Sequence, residues 1–408
     1  MNVDELVRDT LRETAEAQAA APPGFADRVL AVRRRRHRRR IAAAAVGTAA
    51  VLALGLGVQR LDSGRDEVRP AAVLDDGATH AHPDQSPPRD LVAAGDVALA
   101  AYYTIATRPQ GDQGDQGLLE RTYWLLDPAT GRYEQDDRWS YVAVAPGLRT
   151  AAVLERTWPA LRVGVLDLAT GKVVRWIPVR GDGIGGIAYS QDGTKLVATT
   201  YAENPDLLPR RGMDDAGEPA YFPGPDPGTR TGFMILDPDG QSGGARFGAP
   251  DDELFNPRSD FRFSRDGRLV YAQVIGDKDG MQQYYDLTGE KVAAPAEERH
   301  LRSDVEARLS PNGALAASGL TEEKGGRSYS SIRDPRSGKE ITRVRGGELL
   351  AWVDDRRLIA WERSVNPEVY EPRLVLVTIG SDEVTRLSGV RKHRPDSRWE
   401  WEPVFARR

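Results

Sequence analysis

From about residue 91 to the C-terminus, short apolar segments alternate with tight polar turns, and the alternation follows one repeated pattern. The first element of the pattern is an apolar segment, an Asp-Gly or Asn-Gly turn and a second apolar segment, as in "IAYSQDGTKLVATTY". Because glycine accepts positive φ at little cost, such dipeptides between apolar runs predict β-hairpins. Clear and degenerate copies of this element begin at Val142, Ile187, Phe261, Ala307 and Leu349.

A second element follows, in which an apolar segment runs into Asp, then a Gly turn, then another apolar segment. Copies begin at Tyr123, Val163, Phe233, Gln283 and Ser331, and a variant without the Asp begins at Leu374. The Asp is expected to cap its own turn through a side-chain hydrogen bond. Equivalent positions of the first element lie 45, 74, 46 and 43 residues apart: Val144, Tyr189, Phe263, Leu309 and Trp352. A period of about 40 to 50 residues with four strands per unit is typical of β-propeller blades.

The predicted fold class is therefore all-β, a propeller of six blades, or alternatively seven, over residues 91–408. The long spacing contains a Pro/Gly-rich insertion, residues 202–230, and "RPQGDQGDQG" lengthens a hairpin in the first repeat. The first repeat lacks a strand, and the C-terminal "WEWEPVFARR" resembles the missing one. We expect the C-terminal strand to pair into the first repeat and close the ring, so deletion of residues 398–408 should destabilise the domain.

The N-terminal part has a different pattern. Residues 33–40 hold seven arginines and a histidine, and the next 18 residues, 41–58, carry no charge. Eighteen helical residues span about 27 Å, close to the hydrocarbon thickness of a bilayer. Residues 33–60 thus predict an arginine block and one transmembrane helix, with the N-terminus cytoplasmic and the propeller extracytoplasmic. A cleaved signal peptide is the alternative, although no A-x-A site follows the apolar run.

Small residues recur at every fourth position of the predicted transmembrane helix, which is the spacing that lets two helices approach closely. They are Ala45, Ala49, Ala53 and Gly57. The stripe is the basis for expecting a transmembrane-helix dimer.

Residues 1–32 predict a short helical cytoplasmic tail. Leu6, Val7 and Leu11 lie on one face of the first helical segment, "APPG" ends it, and Phe25 and Val29 lie one turn apart in the second. Neither segment can bury enough area to be stable alone, so the tail either folds on a partner or is a solvated leader. Residues 61–90 have no apolar periodicity and many turn formers, and they predict a flexible linker.

Composition and motifs exclude several classes of partner and of functional site. The net charge of −5 leaves no overall cationic field, so no nucleic-acid partner is expected. The chain has no cysteine, which excludes disulfides, thiolate metal sites and a catalytic Cys. No G-x-S-x-G motif occurs. His80 and His82 lie beside Asp84 and could contact a metal adventitiously, but they have no third firm ligand. The loops at 181–186 and 237–240 have turn spacing rather than phosphate-loop or calcium-loop spacing. We expect no enzyme, metal or cofactor.

Two resemblances follow from these motifs. The repeats resemble WD40-like and TolB-like propellers, the second more closely because the Gly-His and Trp-Asp dipeptides of WD40 repeats are missing. The order of acidic helix, Pro-rich break, "FADRVL", arginine run and single span resembles bacterial membrane-bound anti-sigma factors, without the zinc pattern of one class of them. The resemblances imply a membrane-anchored sensor whose propeller binds a protein or ligand and whose tail holds a sigma factor. The alternative is an anchored envelope scaffold without signalling.

The propeller face that binds is predicted to include the insertion, because loops on rigid scaffolds usually carry recognition. Its adjacent aromatic residues, Tyr221 and Phe222, are the candidate contact residues of the propeller, and Leu6, Val7, Leu11, Phe25 and Val29 are those of the tail.

Overall fold

The computed structural model describes residues 77–213, 217–223, 228–240, 244–249, 258–274, 280–362, 371–393 and 398–408. Every regular element within these ranges is a β-strand. Among the residues described, no helix is long and apolar enough to cross a bilayer. Three predicted segments lie outside the described residues: the tail, the arginine block and the transmembrane helix. The candidate contact residues of the tail therefore also lie outside them, namely Leu6, Val7, Leu11, Phe25 and Val29.

Five of the sheets are blades of three or four antiparallel strands. Blade 1 contains β5 (Trp139–Val144), β6 (Thr150–Glu155), β7 (Arg162–Asp167) and β8 (Lys172–Pro178); blade 2 contains β9 (Gly183–Tyr189), β10 (Leu196–Tyr201), β13 (Arg230–Leu236) and β14 (Arg246–Gly248). Blade 3 contains β15 (Arg262–Phe263), β16 (Leu269–Val274), β17 (Met281–Asp286) and β18 (Lys291–Val292). Blade 4 contains β19 (Ala316–Lys324), β20 (Arg327–Arg333) and β21 (Glu340–Arg345), and blade 5 contains β22 (Glu348–Trp352), β23 (Arg357–Glu362), β24 (Arg373–Thr378) and β25 (Val384–Val390).

The remaining strands form one seven-stranded composite sheet. They are β1 (Ala93–Ala94), β2 (Val97–Gln110), β3 (Gln116–Asp127), β4 (Arg132–Asp136), β11 (Leu207–Met213), β12 (Pro219–Tyr221) and β26 (Glu402–Arg407). Strands β26, β2, β3 and β4 lie side by side as in a blade, while β11 adds to the far end of β3 and β12 pairs with β11. The chain segment between β10 and β13 therefore leaves blade 2 and joins the composite sheet.

The all-β propeller prediction is confirmed, but the prediction of six separate blades is corrected to five blades and one composite sheet. The cause is the length of two strands. β2 has 14 residues and β3 has 12, whereas the long strands of most blades have six or seven. Because β4 pairs only with the last part of β3, from Tyr123 to Asp127, the first part of β3 is left open to β11. The described residues contain no seventh sheet in support of the alternative count.

The predicted closure by the C-terminus is confirmed. β26 pairs antiparallel with β2, with Glu402 opposite Tyr103 and Arg407 opposite Val97. The side chain of Trp401 is fully buried and packs against Trp361 of blade 5, with ring centroids 5.2 Å apart. The two ends of the described domain are thereby joined by a sheet rather than by loops.

The predicted turn chemistry is also confirmed. In each Asp-containing copy of the second element, one carboxylate oxygen accepts a hydrogen bond from a backbone N–H two or three residues later in the turn. The residues are Asp127, Asp167, Asp237, Asp286 and Asp334. These aspartates stabilise turns, as the sequence indicated.

Residues 77–90, which the sequence assigned to a flexible linker, are instead part of the propeller. His82 forms a parallel bridge with Ser388 of β25, and the Gly389 N–H donates to the carbonyl of Gln85. Gln85 is buried, and its amide oxygen accepts from the backbone N–H groups of Arg89 and Asp90. The segment lacks apolar periodicity because it is attached to the propeller by hydrogen bonds rather than by a row of apolar side chains.

Neighbouring sheets share buried apolar clusters. One cluster joins the composite sheet to blades 1 and 5, a second joins blades 1 and 2, a third joins blades 4 and 5, and a fourth joins blades 2 and 3. Between blades 3 and 4 the contact is polar: the Arg308 guanidinium donates to Glu298 at 2.6 Å and to the Tyr284 hydroxyl at 3.2 Å. Packing of each sheet on the next gives the propeller a rigid frame.

Candidate functional site

The candidate site lies where the insertion crosses blade 1. We call residues 202–213 the crossing segment. It begins after Tyr201 of blade 2, and its strand β11 pairs with β3, Leu207 lying opposite Leu118 and Pro209 opposite Gln116. The backbone carbonyl of Asp206 accepts a hydrogen bond from Leu119 N at 2.8 Å. The segment thus connects the two sheets that flank blade 1.

Beneath the crossing segment lies a group of four charged side chains, which we call the Arg–Asp cluster: Arg121, Asp206, Arg258 and Asp260. Arg121 comes from β3, Asp206 from the crossing segment, and Arg258 and Asp260 from the approach to β15. Their side chains are 8%, 10%, 20% and 15% exposed, so the cluster is largely removed from solvent. Charges at this depth require direct pairing.

Both arginines bind the same carboxylate. Arg121 donates from Nη1 and Nη2 to Asp206 at 2.8 and 3.0 Å, and Arg258 donates from Nη2 and Nε at 2.7 and 3.2 Å. Burial would raise the pKa of the Asp206 carboxyl, but the charges of Arg121 and Arg258 outweigh burial and hold its pKa below the ordinary value. Asp206 is therefore an anion with four donors on its two oxygens.

The second carboxylate completes the pairing. Arg258 Nη1 donates to Asp260 at 2.7 Å and to the carbonyl of Gly185 at 2.8 Å, and the Tyr201 hydroxyl donates to the other oxygen of Asp260 at 2.8 Å. Burial and the Asp260 carboxylate raise the pKa of Tyr201 well above its ordinary value, so its phenol keeps the proton that it donates. Burial would lower the pKa of Arg258, but Asp260 and Asp206 raise it instead.

Glycines of β9 make room for the cluster. A Cβ at Gly186 would overlap the Asp260 carboxylate, and one at Gly185 would lie 2.6 Å from the Tyr201 ring. A Cβ at Gly183 would lie 2.6 Å from the Trp158 ring. The glycine-rich stretch 181–186 is thus neither a phosphate loop nor only a turn. Most of it is the first strand of blade 2, in which Gly183, Gly185 and Gly186 let neighbouring side chains approach the backbone.

A further ion pair, between blade 3 and the start of blade 4, lies on the same side. Arg262 donates to Glu306 at 2.5 and 3.1 Å, and their side chains are 45% and 50% exposed. Burial raises the pKa of Tyr103, Arg121 lowers it, and Glu402 and Glu306 raise it again, so charged groups of the composite sheet and of the segment before β19 act on one phenol.

The cleft beneath the crossing segment is small. Arg121, Ser140, Trp158, Asn204 and Asp206 are among its lining residues, and it has about 40 Å³ of space for water. That volume holds a few water molecules and no organic ligand.

The two sequence-predicted contact residues of the insertion have different environments. The Tyr221 ring packs on Gly117, where a Cβ would lie 2.5 Å from it, and its hydroxyl donates to the carbonyl of Gly114 at 3.1 Å. Phe222 is 48% exposed, and Met213, at the end of β11, is 60% exposed. Tyr221 thus attaches the β11–β12 hairpin to the hairpin between β2 and β3, and Phe222 and Met213 face outward.

Sequence reasoning missed the Arg–Asp cluster. Asp206 lies 85 residues from Arg121 and 52 from Arg258, so no local spacing relates them. The one local signal is the turn former Asn204, whose side chain accepts from Asp206 N at 3.0 Å. In the part of the chain that the structure describes, no group of three or more His, Asp or Glu is placed to hold a metal ion, the residues around His80 and His82 included.

Comparison with known proteins gives similarities of structure alone. No family model matches the sequence, and no curated protein matches it. The chain is similar to TolB from Acinetobacter baumannii, with a TM-score of 0.35 and 14% identity over 71% of this chain and 67% of TolB. It is also similar to Kuenenia stuttgartiensis hydrazine synthase, with a TM-score of 0.34 and 14% identity over 61% of this chain and 65% of that one.

Proposed function

We propose that this protein is a membrane-anchored, non-enzymatic binding protein whose propeller lies outside the cytoplasm and binds a protein partner through the β11–β12 hairpin. The observation that carries the proposal is the exposure of two large apolar side chains, Met213 and Phe222, on a hairpin that is firmly held. Exposed aromatic and Met side chains on a preorganised element are typical of the anchors of protein interfaces.

The hairpin is held at three places. Asp206 binds Arg121 and Arg258, β11 pairs with β3, and Tyr221 packs on Gly117. A hairpin fixed in this way loses little conformational entropy when a partner binds, so its apolar side chains can contribute fully to affinity. Rigidity and exposure together support a recognition role.

The chemistry of the Arg–Asp cluster supports binding rather than catalysis. Each carboxylate of the cluster accepts from a guanidinium at 3.0 Å or less, and Arg121 and Arg258 hold Asp206 as an anion. A general base with a lowered pKa and two strong cationic partners has little driving force to take a proton at neutral pH. The cluster is better suited to positioning the crossing segment.

The anchoring part of the proposal comes from the sequence. Seven arginines in residues 33–40 precede 18 uncharged residues, and positive charge beside an apolar segment stays on the cytoplasmic side. The propeller follows the apolar segment and would lie on the opposite side of the membrane.

Substitution of Phe222 tests the binding surface. We expect Phe222→Ser in the full-length protein, expressed in its native membrane, to reduce the amount of co-purifying partner about thirtyfold, since an aromatic anchor contributes about 2 kcal/mol or more. The matched control is Val174→Ser, because Val174 is 63% exposed on β8, the outermost strand of blade 1. Quantitative mass spectrometry of affinity-purified membranes is the measurement. Equal recovery with wild type and both variants would contradict the proposed surface.

We propose in addition that the cytoplasmic tail, residues 1–32, holds a sigma factor. The support is its two amphipathic segments, with Leu6, Val7 and Leu11 on one face and Phe25 and Val29 on another. A tagged peptide of residues 1–40 should capture an RNA polymerase sigma subunit from lysate, and Leu6→Asp with Leu11→Asp should abolish capture. A peptide of residues 33–40 alone is the control for charge. Capture of nothing beyond that control would leave the alternative, an anchored scaffold without cytoplasmic signalling.

A further inference from the structure

The geometry around Asp206 is that of an anion receptor. Two guanidiniums, from Arg121 and Arg258, each donate two hydrogen bonds to the same carboxylate, at 2.7 to 3.2 Å. Planar arginine forks of this kind match a carboxylate and recognise it with high geometric specificity. Here the carboxylate belongs to the protein itself.

The two arginines are held independently of Asp206. Arg121 Nη1 also donates to the carbonyl of Ser140 at 3.4 Å, and its guanidinium lies 5.7 Å from the ring centre of Tyr141. Arg258 is fixed by Asp260 and by the carbonyl of Gly185, and it lies 5.2 Å from the same Tyr141 ring. Both guanidiniums can therefore stay in place if the crossing segment moves away.

Without Asp206 the cluster has an excess of positive charge. Two guanidiniums and one remaining carboxylate, Asp260, leave one net positive charge at a largely buried position. A buried unpaired charge is unfavourable, so the vacated position would attract a single anionic group.

The site is reached through the cleft beneath the crossing segment, which Arg121 and Asp206 both line. Arg156 and Trp158 lie along the same cleft, and so do two other carboxylates, Glu120 and Glu155. Glu155 is paired with Arg162 at 2.7 Å, and Glu120 with Arg108 at 2.8 Å. An incoming acidic group therefore meets carboxylates that are already neutralised by cations.

We propose that Arg121 and Arg258 form a receptor for a carboxylate of the protein partner, and that Asp206 occupies it as an internal competitor. Binding of the partner's carboxylate displaces Asp206 and releases residues 202–206, while the pairing of β11 with β3 and the packing of Tyr221 on Gly117 keep the hairpin in place. This inference rests on the proposed function, because it assigns the partner's acidic group to the same face as Phe222. It adds an autoinhibitory contact that the binding proposal alone does not require.

Anion rescue tests the receptor. We expect Asp206→Ala to lower Tm by about 5 to 10 °C, because two buried guanidiniums lose their common partner. Sodium acetate should restore most of that loss and saturate with concentration, while sodium chloride at equal ionic strength should not. The double variant Asp206→Ala with Arg121→Met should show no specific acetate effect. Asp304→Ala is the matched control, since Asp304 pairs with Arg302 and is 56% exposed. Acetate that does no more than chloride, or that stabilises the double variant equally, would overturn the receptor.

Hydrogen–deuterium exchange of the wild-type protein tests displacement, and it does not depend on whether Asp206→Ala folds. Two probes distinguish the source of the carboxylate: a blocked peptide with one internal Asp, and an Asp-free peptide with a free C-terminus. Either probe should speed exchange of the Leu207 amide, which now donates to Asn204, and leave slow that of Arg210, which donates to Asp115 within the held hairpin. Unchanged exchange with both probes would overturn the competition. Since neither assay uses the partner, failure here is distinguishable from failure of the Phe222→Ser test.

Discussion

Removal of residues 398–408 is expected to abolish cooperative folding of the propeller. The deletion takes away β26, which pairs with β2 from Val97 to Tyr103, and it removes the fully buried Trp401. Loss of a buried Trp side chain alone costs about 3–5 kcal/mol, and an opened β2 edge adds to that loss. Domains typically have a free energy of unfolding of only about 5–15 kcal/mol, so the combined loss approaches the entire stability of the propeller. Thermal unfolding followed by circular dichroism is the measurement.

The control for the deletion is the same truncated chain with a synthetic peptide of residues 398–408 added in excess. The peptide should restore a cooperative transition if β26 acts by pairing and packing, since Trp401 then regains its contacts with Trp361 and Tyr102. A truncated chain that melts like the full-length protein would show that the ring does not depend on this strand.

Gly186→Ala is expected to lower the free energy of unfolding by about 3 kcal/mol or more, although it adds a single methyl group. The new Cβ would overlap the Asp260 carboxylate, which Arg258 and Tyr201 hold in place, so the ion pair must break or the strand must shift. Urea denaturation measures the change. Gly319→Ala is the matched control, because a Cβ there meets nothing within 4 Å.

A double-mutant cycle separates the effect on the cluster from an ordinary effect on β9. If the overlap with Asp260 is the cause, the double variant Gly186→Ala with Asp260→Ala should lose far less stability than the sum of the losses in the two single variants. Additive losses would mean that the methyl group acts elsewhere in blade 2.

The sequence predicts what short-range chemistry determines. Asp-Gly turns and Asx-capped turns such as Asp167 and Asp286 are local, so the strands around them could be placed, and the closing strand could be recognised as the one missing from the first repeat. The addition of β11 to β3 could not be predicted, because "DLLPRRG" contains a proline and two arginines and has no strand pattern of its own.

The sequence predicted only part of the candidate site, because only part of it depends on local signals. Tyr221 and Phe222 could be chosen because aromatic residues in a polar insertion are conspicuous, yet only the structure shows that Phe222 faces outward while Tyr221 packs on Gly117. The Arg–Asp cluster depends on three segments that are distant in sequence and meet only in the folded domain. A single Asp at position 206 looks like any solvated charge until both arginines lie beside it.

Site-specific photo-crosslinking in living cells tests most directly whether the propeller binds a protein partner through the β11–β12 hairpin. The full-length protein would carry a photoreactive phenylalanine analogue at position 222, or at position 174 on the outer strand of blade 1 as the control. We expect a crosslinked product of one defined mass from position 222, weakened by excess wild-type protein, and none from position 174. Equal labelling at both positions, or a product from position 174 alone, would contradict it.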